Sequence, residues 1–251
     1  MPKFFVKNNQ IKDDLVFIRG EDVNHISNVL RMQVGSEIII CDVDTADNYL
    51  VKIENISKIE IICSICETLD SVAESNVEVD IYQGLPKSDK MELIIQKSVE
   101  LGVKEIIPIE MKRCVVKLNE KDKVKKVERW NKISEVAAKQ SGRDVIPLIS
   151  NVRNIKEIVK NFEQYDVMLV CYENEERVYL KDVLKTINKC NQKIRIGVVI
   201  GPEGGIDISE IDFLKQHGAK IVSLGNRILR TETVSLSILS IIMYEFERND
   251  S

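Results

Sequence analysis

The sequence predicts an α/β protein in which a small β domain precedes a mostly parallel sheet with helices on both faces. Two observations support this fold class. Residues 1–70 contain short runs of β-branched and aromatic residues separated by turn residues. From residue 77 onward, apolar strand-like runs alternate with amphipathic helical segments, as in parallel sheets. Residues 71–76 are polar and are interpreted as a linker, so the predicted domains span residues 1–70 and 77–251.

The first domain contains mainly predicted strands. One helix is predicted at residues 21–30, and it carries His25. Several short strands with a single helix favour a small barrel. The predicted strands cover residues 4–6, 15–18, 37–41, 49–53 and 59–65.

The second domain alternates between the two kinds of element. Its predicted strands cover residues 77–82, 105–109, 166–171, 196–200 and 220–224. Its predicted helices cover residues 89–101, 121–140, 155–162, 179–187, 207–218 and 233–246. Ser88 or Asp89 should cap the helix 89–101, and Asp207 or Ser209 should cap the helix 207–218. Side chains of this kind accept hydrogen bonds from the free backbone N–H groups at the start of a helix. Trp130, the single tryptophan, is expected to pack in the core.

Charge along the chain is uneven. The formal net charge of −4 disfavours a nucleic-acid partner, since neutralising phosphates requires lysine and arginine. Residues 110–144, in contrast, contain 11 Lys and Arg against 6 Asp and Glu, an excess of five positive charges. This stretch is either an electropositive RNA-binding surface or a solvated helix face with paired charges.

The sequence favours a cytoplasmic protein. The first residues contain no long apolar run or small-residue cleavage site, and no apolar run approaches the length of a membrane span. Most of the six cysteines lie inside apolar runs, as buried reduced thiols do. The six are Cys41, Cys63, Cys66, Cys114, Cys171 and Cys190.

No metal site is predicted. Cys63 and Cys66 form a single Cys-x-x-Cys pair without the further ligands that zinc requires, and they lie in a strand-like run. His25 and His217 are the only histidines, so a His-based metal site or a Ser-His-Asp triad has little support. Packing is the expected role of His25.

Two loops stand out at residues 196–232. The predicted strand 196–200 leads into residues 201–205, which include three glycines that permit close backbone approach and positive φ. The predicted strand 220–224 leads into a loop that carries two arginines and a glutamate. Ligands of open α/β sheets bind beyond the carboxyl ends of the strands, so we favour one site shared by both loops over two ordinary turns. Glu203 disfavours a phosphate ligand and favours a positively charged one.

These residues resemble the SPOUT superfamily of S-adenosylmethionine-dependent RNA methyltransferases, and more narrowly the family that methylates N3 of a uridine in 16S ribosomal RNA. Gly-Pro-Glu-Gly-Gly at residues 201–205 is similar to the first cofactor loop of that family, and residues 224–233 to the second. The resemblance covers nearly the whole chain. Supporting matches lie at His25, residues 29–32, 90–92, 96–97 and 100–102, Arg113 with Cys114, and residues 139–143.

The resemblance implies an N-terminal PUA-like β-barrel, a C-terminal domain with a trefoil knot, a homodimer and a small-ribosomal-subunit partner. It implies S-adenosylmethionine as the cofactor, with no metal and no membrane. The implied cofactor-binding residues are Val170, Tyr172, Glu173, Ile200, Gly201, Glu203, Gly204, Gly205, Leu224, Gly225, Ile228, Leu229, Arg230 and Thr233. The implied RNA-binding residues are Lys3, Arg31, Lys87, Arg113, Lys139 and Arg143.

Two catalytic residues are expected. N3 of uracil carries a proton between two carbonyl groups, and it becomes nucleophilic as that proton leaves. Arg230 would stabilise the charge that builds on the carbonyl oxygens, and Glu232 would orient or accept the proton. Lys3 stands where the family often has arginine, so a contact there would lose the planar guanidinium. The alternatives are a related enzyme acting on another RNA, base or ribose, and a non-catalytic RNA-binding protein.

Overall fold

A computed structural model describes residues 1–70, 73–187 and 193–246. The chain forms two compact units. Unit 1 comprises Met1–Glu74 and Ala138–Ile146, and unit 2 comprises Ser75–Ala137 and Pro147–Ser251. The predicted domains, 1–70 and 77–251, stay a prediction, and linker residues 71 and 72 lie outside the described residues.

Unit 1 is built on a six-stranded sheet in the order β1-β4-β5-β6-β3-β2. Strands β1 and β4 are parallel, and the other pairs are antiparallel. All five predicted strands are present, whereas β2 was missed because two residues are too few to show alternation. The strands are β1 (Lys3–Val6), β2 (Ile11–Lys12), β3 (Leu15–Arg19), β4 (Glu37–Asp42), β5 (Asn48–Ile56) and β6 (Glu60–Leu69).

The predicted helix of unit 1 is also present. It begins as α1 (Glu21–Asn24) and continues as a π-helical segment, His25–Val29. His25 is exposed, and its ring meets that of Phe4 edge-on at 5.8 Å between centroids, so its packing role stays a prediction. The core of this unit lies where alternate residues of the strands point inward, for example Ile38 and Ile40 on β4.

Unit 2 is built on a seven-stranded sheet in which every described pairing is parallel, as the strand–helix alternation predicted. Its order is β10-β8-β7-β12-β11-β13, and β9 also pairs with β8. The strands are β7 (Val77–Gly84), β8 (Glu105–Glu110), β9 (Leu148–Ile149), β10 (Arg153–Asn154), β11 (Val167–Cys171), β12 (Ile194–Ile200) and β13 (Lys220–Val222).

Helices flank this sheet, and the first and last of them pack against each other. Asp207 caps its helix as predicted, because its side chain accepts a hydrogen bond of 3.1 Å from the backbone N–H of Ser209. Asp89 precedes its helix, but its side chain makes no cap hydrogen bond. The helices are α2 (Lys90–Glu100), α3 (Glu120–Ser141), α4 (Ile155–Ile158), α5 (Leu180–Leu184), α6 (Ile208–Gln216) and α7 (Thr231–Phe246).

Several predicted boundaries were wrong. The chain after α4 continues as 3-10 turns at Val159–Gln164, and α5 ends three residues before residue 187. Strand β13 is shorter than predicted because Ser223 leaves it and pairs only with Tyr179. Helix α7 begins two residues before residue 233, which places Thr231 in its first turn.

Trp130 is 3% exposed, which confirms its core role. Cys41, Cys63, Cys114 and Cys171 are buried thiols. Cys66 is exposed, so burial holds for most of the described cysteines, as expected, but not for this one at the exposed end of β6. Cys190 lies outside the described residues.

In the described ranges, no helix combines the length and apolarity needed to cross a bilayer.

Candidate functional site

A cavity of about 360 Å³ lies in unit 2, where β11, β12 and β13 end. The segments that follow these parallel strands form its walls, as expected for an open α/β sheet. The lining residues are Lys90, Cys171, Tyr172, Glu173, Ile200, Gly201, Pro202, Glu203, Gly205, Ser223, Leu224, Gly225, Arg227, Ile228, Leu229, Arg230, Thr231 and Val234.

Most of the predicted cofactor-binding residues lie in this wall, and three do not. Val170 is fully buried inside β11, Gly204 lies against Arg113, and Thr233 is on the exposed side of α7. Their predicted contacts with a ligand stay predictions, as do those of the residues that line the cavity. The wall residues missing from the prediction are Lys90, Cys171, Pro202, Ser223, Arg227, Thr231 and Val234.

The loop at residues 201–205 needs its glycines. Gly205 has φ +70°, and a Cβ built there would lie 2.4 Å from Glu173 Oε1. A Cβ on Gly201 would lie 2.7 Å from the side chain of Ile206. A side chain at either position would therefore displace a neighbour, and at Gly205 it would also strain the backbone. The close packing holds this loop against the segment after β11.

A hydrogen-bond chain joins the loop to α7. The Thr231 hydroxyl donates to the carbonyl oxygen of Gly201 at 2.7 Å, and Gln83 Nε2 donates to Thr231 Oγ1 at 2.8 Å. Gln83 is fully buried at the end of β7, and its Nε2 also lies 3.0 Å from the carbonyl oxygen of Gly84. This chain connects the ends of β7 and β12 with the start of α7.

Charged groups from three segments meet at the cavity. Lys90 Nζ lies 3.2 Å from Glu203 Oε1 and 3.2 Å from Glu232 Oε2. The Glu203 carboxylate also accepts bonds of 3.0 and 3.2 Å from the backbone N–H of Lys87. Burial pushes the pKa of Glu203 upward, but hydrogen bonds from its own N–H and that of Lys87, together with Lys90, hold it below its usual range.

The two predicted catalytic residues occupy different settings. Arg230 is exposed and lines the cavity. Glu232 does not line it, but its side chain is 17% exposed and contacts the lining residue Lys90. Oxygen Oε2 of Glu232 is shielded from solvent and has no hydrogen bond of regular geometry within the described part of the chain. A catalytic role for either residue stays a prediction.

The six predicted RNA-binding residues divide into two groups. Lys87, Arg31 and Arg113 keep exposed side chains. Arg113 also donates from Nη1 to the carbonyl oxygen of Gly204 at 3.2 Å, and its Nε lies 3.8 Å from Asp207 Oδ2. The other three are engaged in ion pairs inside unit 1, where burial favours pairing over solvation. These pairs are Lys3 with Asp144, Lys139 with Asp22 at 3.0 Å, and Arg143 with Glu74 at 2.5 Å.

Comparisons with known proteins agree with this arrangement. Residues 73–243 match the family model of an RNA methyltransferase domain, and residues 18–66 match that of an RNA methyltransferase PUA domain. A curated relative from Bacillus subtilis, named ribosomal RNA small subunit methyltransferase E, is 36% identical over 98% of both chains.

Two solved structures are also similar. A ribosomal RNA small subunit methyltransferase E from Neisseria gonorrhoeae, bound to S-adenosyl methionine, superposes with a TM-score of 0.86 at 27% identity, over 97% of both chains. A putative methyltransferase from Legionella pneumophila, also with bound S-adenosyl methionine, superposes with a TM-score of 0.84 at 28% identity, over 96% of both chains. The match to the family model over most of the chain, together with this full-length similarity, shows that the chain belongs to the RNA methyltransferase family whose curated members are the ribosomal RNA small subunit methyltransferases E.

Proposed function

We propose that this enzyme transfers the methyl group of S-adenosylmethionine to N3 of a uridine in the 16S ribosomal RNA of the small subunit. The observation that carries the proposal is the cavity at the strand ends, which combines both glycine loops with Arg230 and the Lys90–Glu232 contact. The names of the similar proteins point to ribosomal RNA of the small subunit as the substrate class.

The cavity suits the cofactor in size and chemistry. Its volume of about 360 Å³ is in the range of small-molecule sites. Apolar side chains such as Ile200 and Leu229 can pack against an adenine ring, and carboxylates of Glu173 and Glu203 face a ligand that is positively charged at sulfur. A Cβ on Gly225 would meet no atom within 4 Å, so the backbone there is open to a ligand. S-adenosylmethionine supplies a methyl group that leaves sulfur with ease.

Arg230 and Glu232 are the proposed catalytic residues. N3 of uracil forms its bond to the methyl carbon while the bond from that carbon to sulfur breaks, and the N3 proton passes to the Glu232 carboxylate. Negative charge on the adjacent carbonyl oxygens is stabilised by the Arg230 guanidinium. Because N3 lies on the pairing edge of the base, the target uridine must be unpaired or extruded.

RNA is proposed to contact exposed cations on both units. The predicted domain 1–70 supplies Arg31, which is exposed in unit 1. In unit 2, Lys87 and Arg113 stay exposed beside the glycine loop, and α3 exposes a row of lysines. Arg31, Lys87 and the α3 lysines can neutralise phosphates without breaking a described ion pair, whereas Arg113 would give up its 3.8 Å contact with Asp207. The exposed α3 lysines are Lys121, Lys125, Lys126 and Lys132.

The finer features implied by the family are also part of the proposal: a trefoil knot in the second domain, a homodimer, no metal and a cytoplasmic location. Helix α7 supports the dimer, because it buries Ile238 and Ile242 while Ile241 and Tyr244 are 43% and 91% exposed. A second copy of the chain covering this apolar strip would remove it from water. Among the described residues, no cluster of candidate metal ligands was found.

The test is tritium transfer from labelled S-adenosylmethionine into isolated small subunits that lack the modification, followed by digestion to nucleosides. We expect label in 3-methyluridine. Label in another nucleoside would keep the enzyme class and overturn the proposed position. Absence of label while the cofactor still binds would direct the search to other RNAs.

A further inference from the structure

Lys90 is the one cavity residue contributed by the start of α2, far in sequence from both glycine loops. Its side chain is 30% exposed, so the ammonium is accessible at the cavity surface. It lies 3.2 Å from one carboxylate on each side, Glu203 and Glu232. The Glu232 carboxylate, followed by that of Glu203, raises the pKa of Lys90, so the ammonium stays charged at neutral pH.

The hydrogen-bonding capacity of this pair is only partly used. An ammonium group has three N–H donors, and in the described ranges Lys90 Nζ faces two carboxylate oxygens. One donor therefore remains for a ligand. Glu232 Oε2 is shielded from solvent and lies 3.2 Å from Lys90 Nζ, while the Glu232 side chain as a whole stays 17% exposed beside the cavity. A donor and an acceptor thus lie side by side next to the cavity.

This arrangement complements the pairing edge of uracil. That edge presents a carbonyl oxygen, the N3–H donor and a second carbonyl oxygen in a row. Lys90 can donate to one carbonyl while Glu232 accepts from N3–H, and Arg230, which lines the same cavity, can donate to the other carbonyl. Cytosine presents an unprotonated N3, so Glu232 would face an acceptor in place of the N3–H donor, and buried mismatches of polar groups discriminate strongly.

We infer that Lys90 and Glu232 together read the carbonyl and N3–H of the target uracil, and that Lys90 is a catalytic residue that contacts a carbonyl oxygen. The inference rests on the proposed function. As the N3 proton passes to Glu232, negative charge grows on the carbonyl oxygen that Lys90 faces, and the ammonium stabilises it. Glu203 is a positioning residue. Its carboxylate accepts a hydrogen bond from the backbone N–H of Lys87 and lies 3.2 Å from Lys90 Nζ, so it holds the ammonium in place.

Three variants separate this role from a structural one. Lys90→Met removes the charge, Lys90→Arg keeps it, and Lys104→Met is the matched control. Lys104 is 47% exposed and pairs with Glu78 at 3.2 Å, and Glu78 keeps Lys193 as a partner at 2.7 Å. For each variant, kcat is measured with labelled S-adenosylmethionine and small subunits lacking the modification, and the cofactor Kd is measured by calorimetry.

We expect Lys90→Met to lower kcat about 100- to 1,000-fold, the usual loss when one donor to a developing oxyanion is removed. The cofactor Kd should stay unchanged, Lys90→Arg should retain more turnover than Lys90→Met, and Lys104→Met should match the unaltered enzyme. Unchanged kcat in Lys90→Met would overturn the inference. A rise in cofactor Kd that accounts for the whole loss would also overturn it, since Lys90 would then act on the cofactor site.

A second experiment tests base reading. Small subunits are reconstituted with RNA carrying cytidine at the position that the unaltered enzyme labels. We expect no detectable transfer to this cytidine, and transfer at a rate comparable with uridine would overturn the reading role. If the unaltered enzyme forms no 3-methyluridine on normal subunits, the proposed function itself fails. Formation of 3-methyluridine with turnover insensitive to Lys90→Met would overturn this inference alone.

Discussion

Thr231 Oγ1 donates a hydrogen bond of 2.7 Å to the carbonyl oxygen of Gly201, and this bond joins the first residue of α7 to the first residue of the glycine loop. The same hydroxyl accepts from the buried Gln83. The bond therefore ties together two walls of the cavity that are 30 positions apart in sequence.

Thr231→Val should weaken cofactor binding. Valine keeps the shape of threonine but removes the hydrogen-bond donor to the Gly201 carbonyl and one of the two acceptors of Gln83 Nε2, and an unmet buried group costs about 1–3 kcal/mol. We expect the Kd for S-adenosylmethionine to rise roughly tenfold or more by calorimetry. Thr186→Val is the control, because its hydroxyl makes an equal 2.7 Å bond to the Val183 carbonyl outside the cavity wall. Equal Kd values for both variants would contradict the prediction.

Gly205→Ala should impair both stability and cofactor binding. The residue has φ +70°, and the new Cβ would press on Glu173, which lines the cavity. Gly218→Ala has φ +92° but meets no atom within 4 Å, so it adds backbone strain alone. Both variants should lose about 1–3 kcal/mol in urea unfolding. Calorimetry should show weaker cofactor binding in Gly205→Ala only, and normal binding there would refute the expected displacement of Glu173.

Glu232→Gln should lower turnover with little change in cofactor affinity. The amide is isosteric but is a far weaker base, and general-base catalysis contributes about 10²- to 10⁴-fold. Methylation of small subunits lacking the modification gives kcat, and calorimetry gives the cofactor Kd. Glu100→Gln is the control, because Glu100 forms a similar pair with Lys97 at 2.8 Å on α2. Unchanged methylation with normal cofactor binding would rule out catalysis by Glu232.

Arg230→Ala should lose turnover more than stability, because the side chain is exposed and contributes little packing. Removing its charge from the developing carbonyl anion should lower kcat by about 10²- to 10³-fold. Arg230→Lys should recover only part of the rate, since lysine lacks the planar pair of donors. The unfolding midpoint in urea serves as the control measurement. Activity equal to that of the unaltered enzyme would remove Arg230 from the mechanism.

Asp80 should make unfolding depend on pH. The residue is 3% exposed, and burial raises the pKa of its carboxyl to about 6, although Tyr165 donates a hydrogen bond of 2.7 Å to Oδ2. The folded state thus binds this proton more tightly than the unfolded chain does. Its contribution to stability is complete below about pH 4 and is lost as the pH rises to about 6, a change of about 2–3 kcal/mol.

Asp80→Asn should therefore flatten the free energy of unfolding between about pH 4 and pH 6, measured by urea titration at several pH values. The control is Asp212→Asn, which changes an exposed carboxyl on α6. A slope in Asp80→Asn identical to that of the unaltered protein would contradict this account of the Asp80 environment.

Local patterns in the sequence were enough for most elements of the fold. Period-two alternation in Glu37–Asp42 and the helical spacing in Lys90–Glu100 reflect burial of one face, which each segment reveals by itself. The glycine loop and the cap at Asp207 are likewise predictable from a few adjacent residues. Short elements such as Leu148–Ile149 escaped prediction, because two residues carry no period and neighbouring strands determine their pairing.

The tertiary structure alone decided which distant groups meet. It placed Lys90 between Glu203 and Glu232, although Lys90 is more than a hundred residues from either glutamate in the sequence. It also paired Arg143 with Glu74 inside unit 1, although the sequence suggested a free RNA-binding cation. Local periodicity reports which side of a segment is buried, but not what it is buried against. The order of the parallel strands determines which segments pack together, because it brings loops from remote parts of the chain to one edge of the sheet.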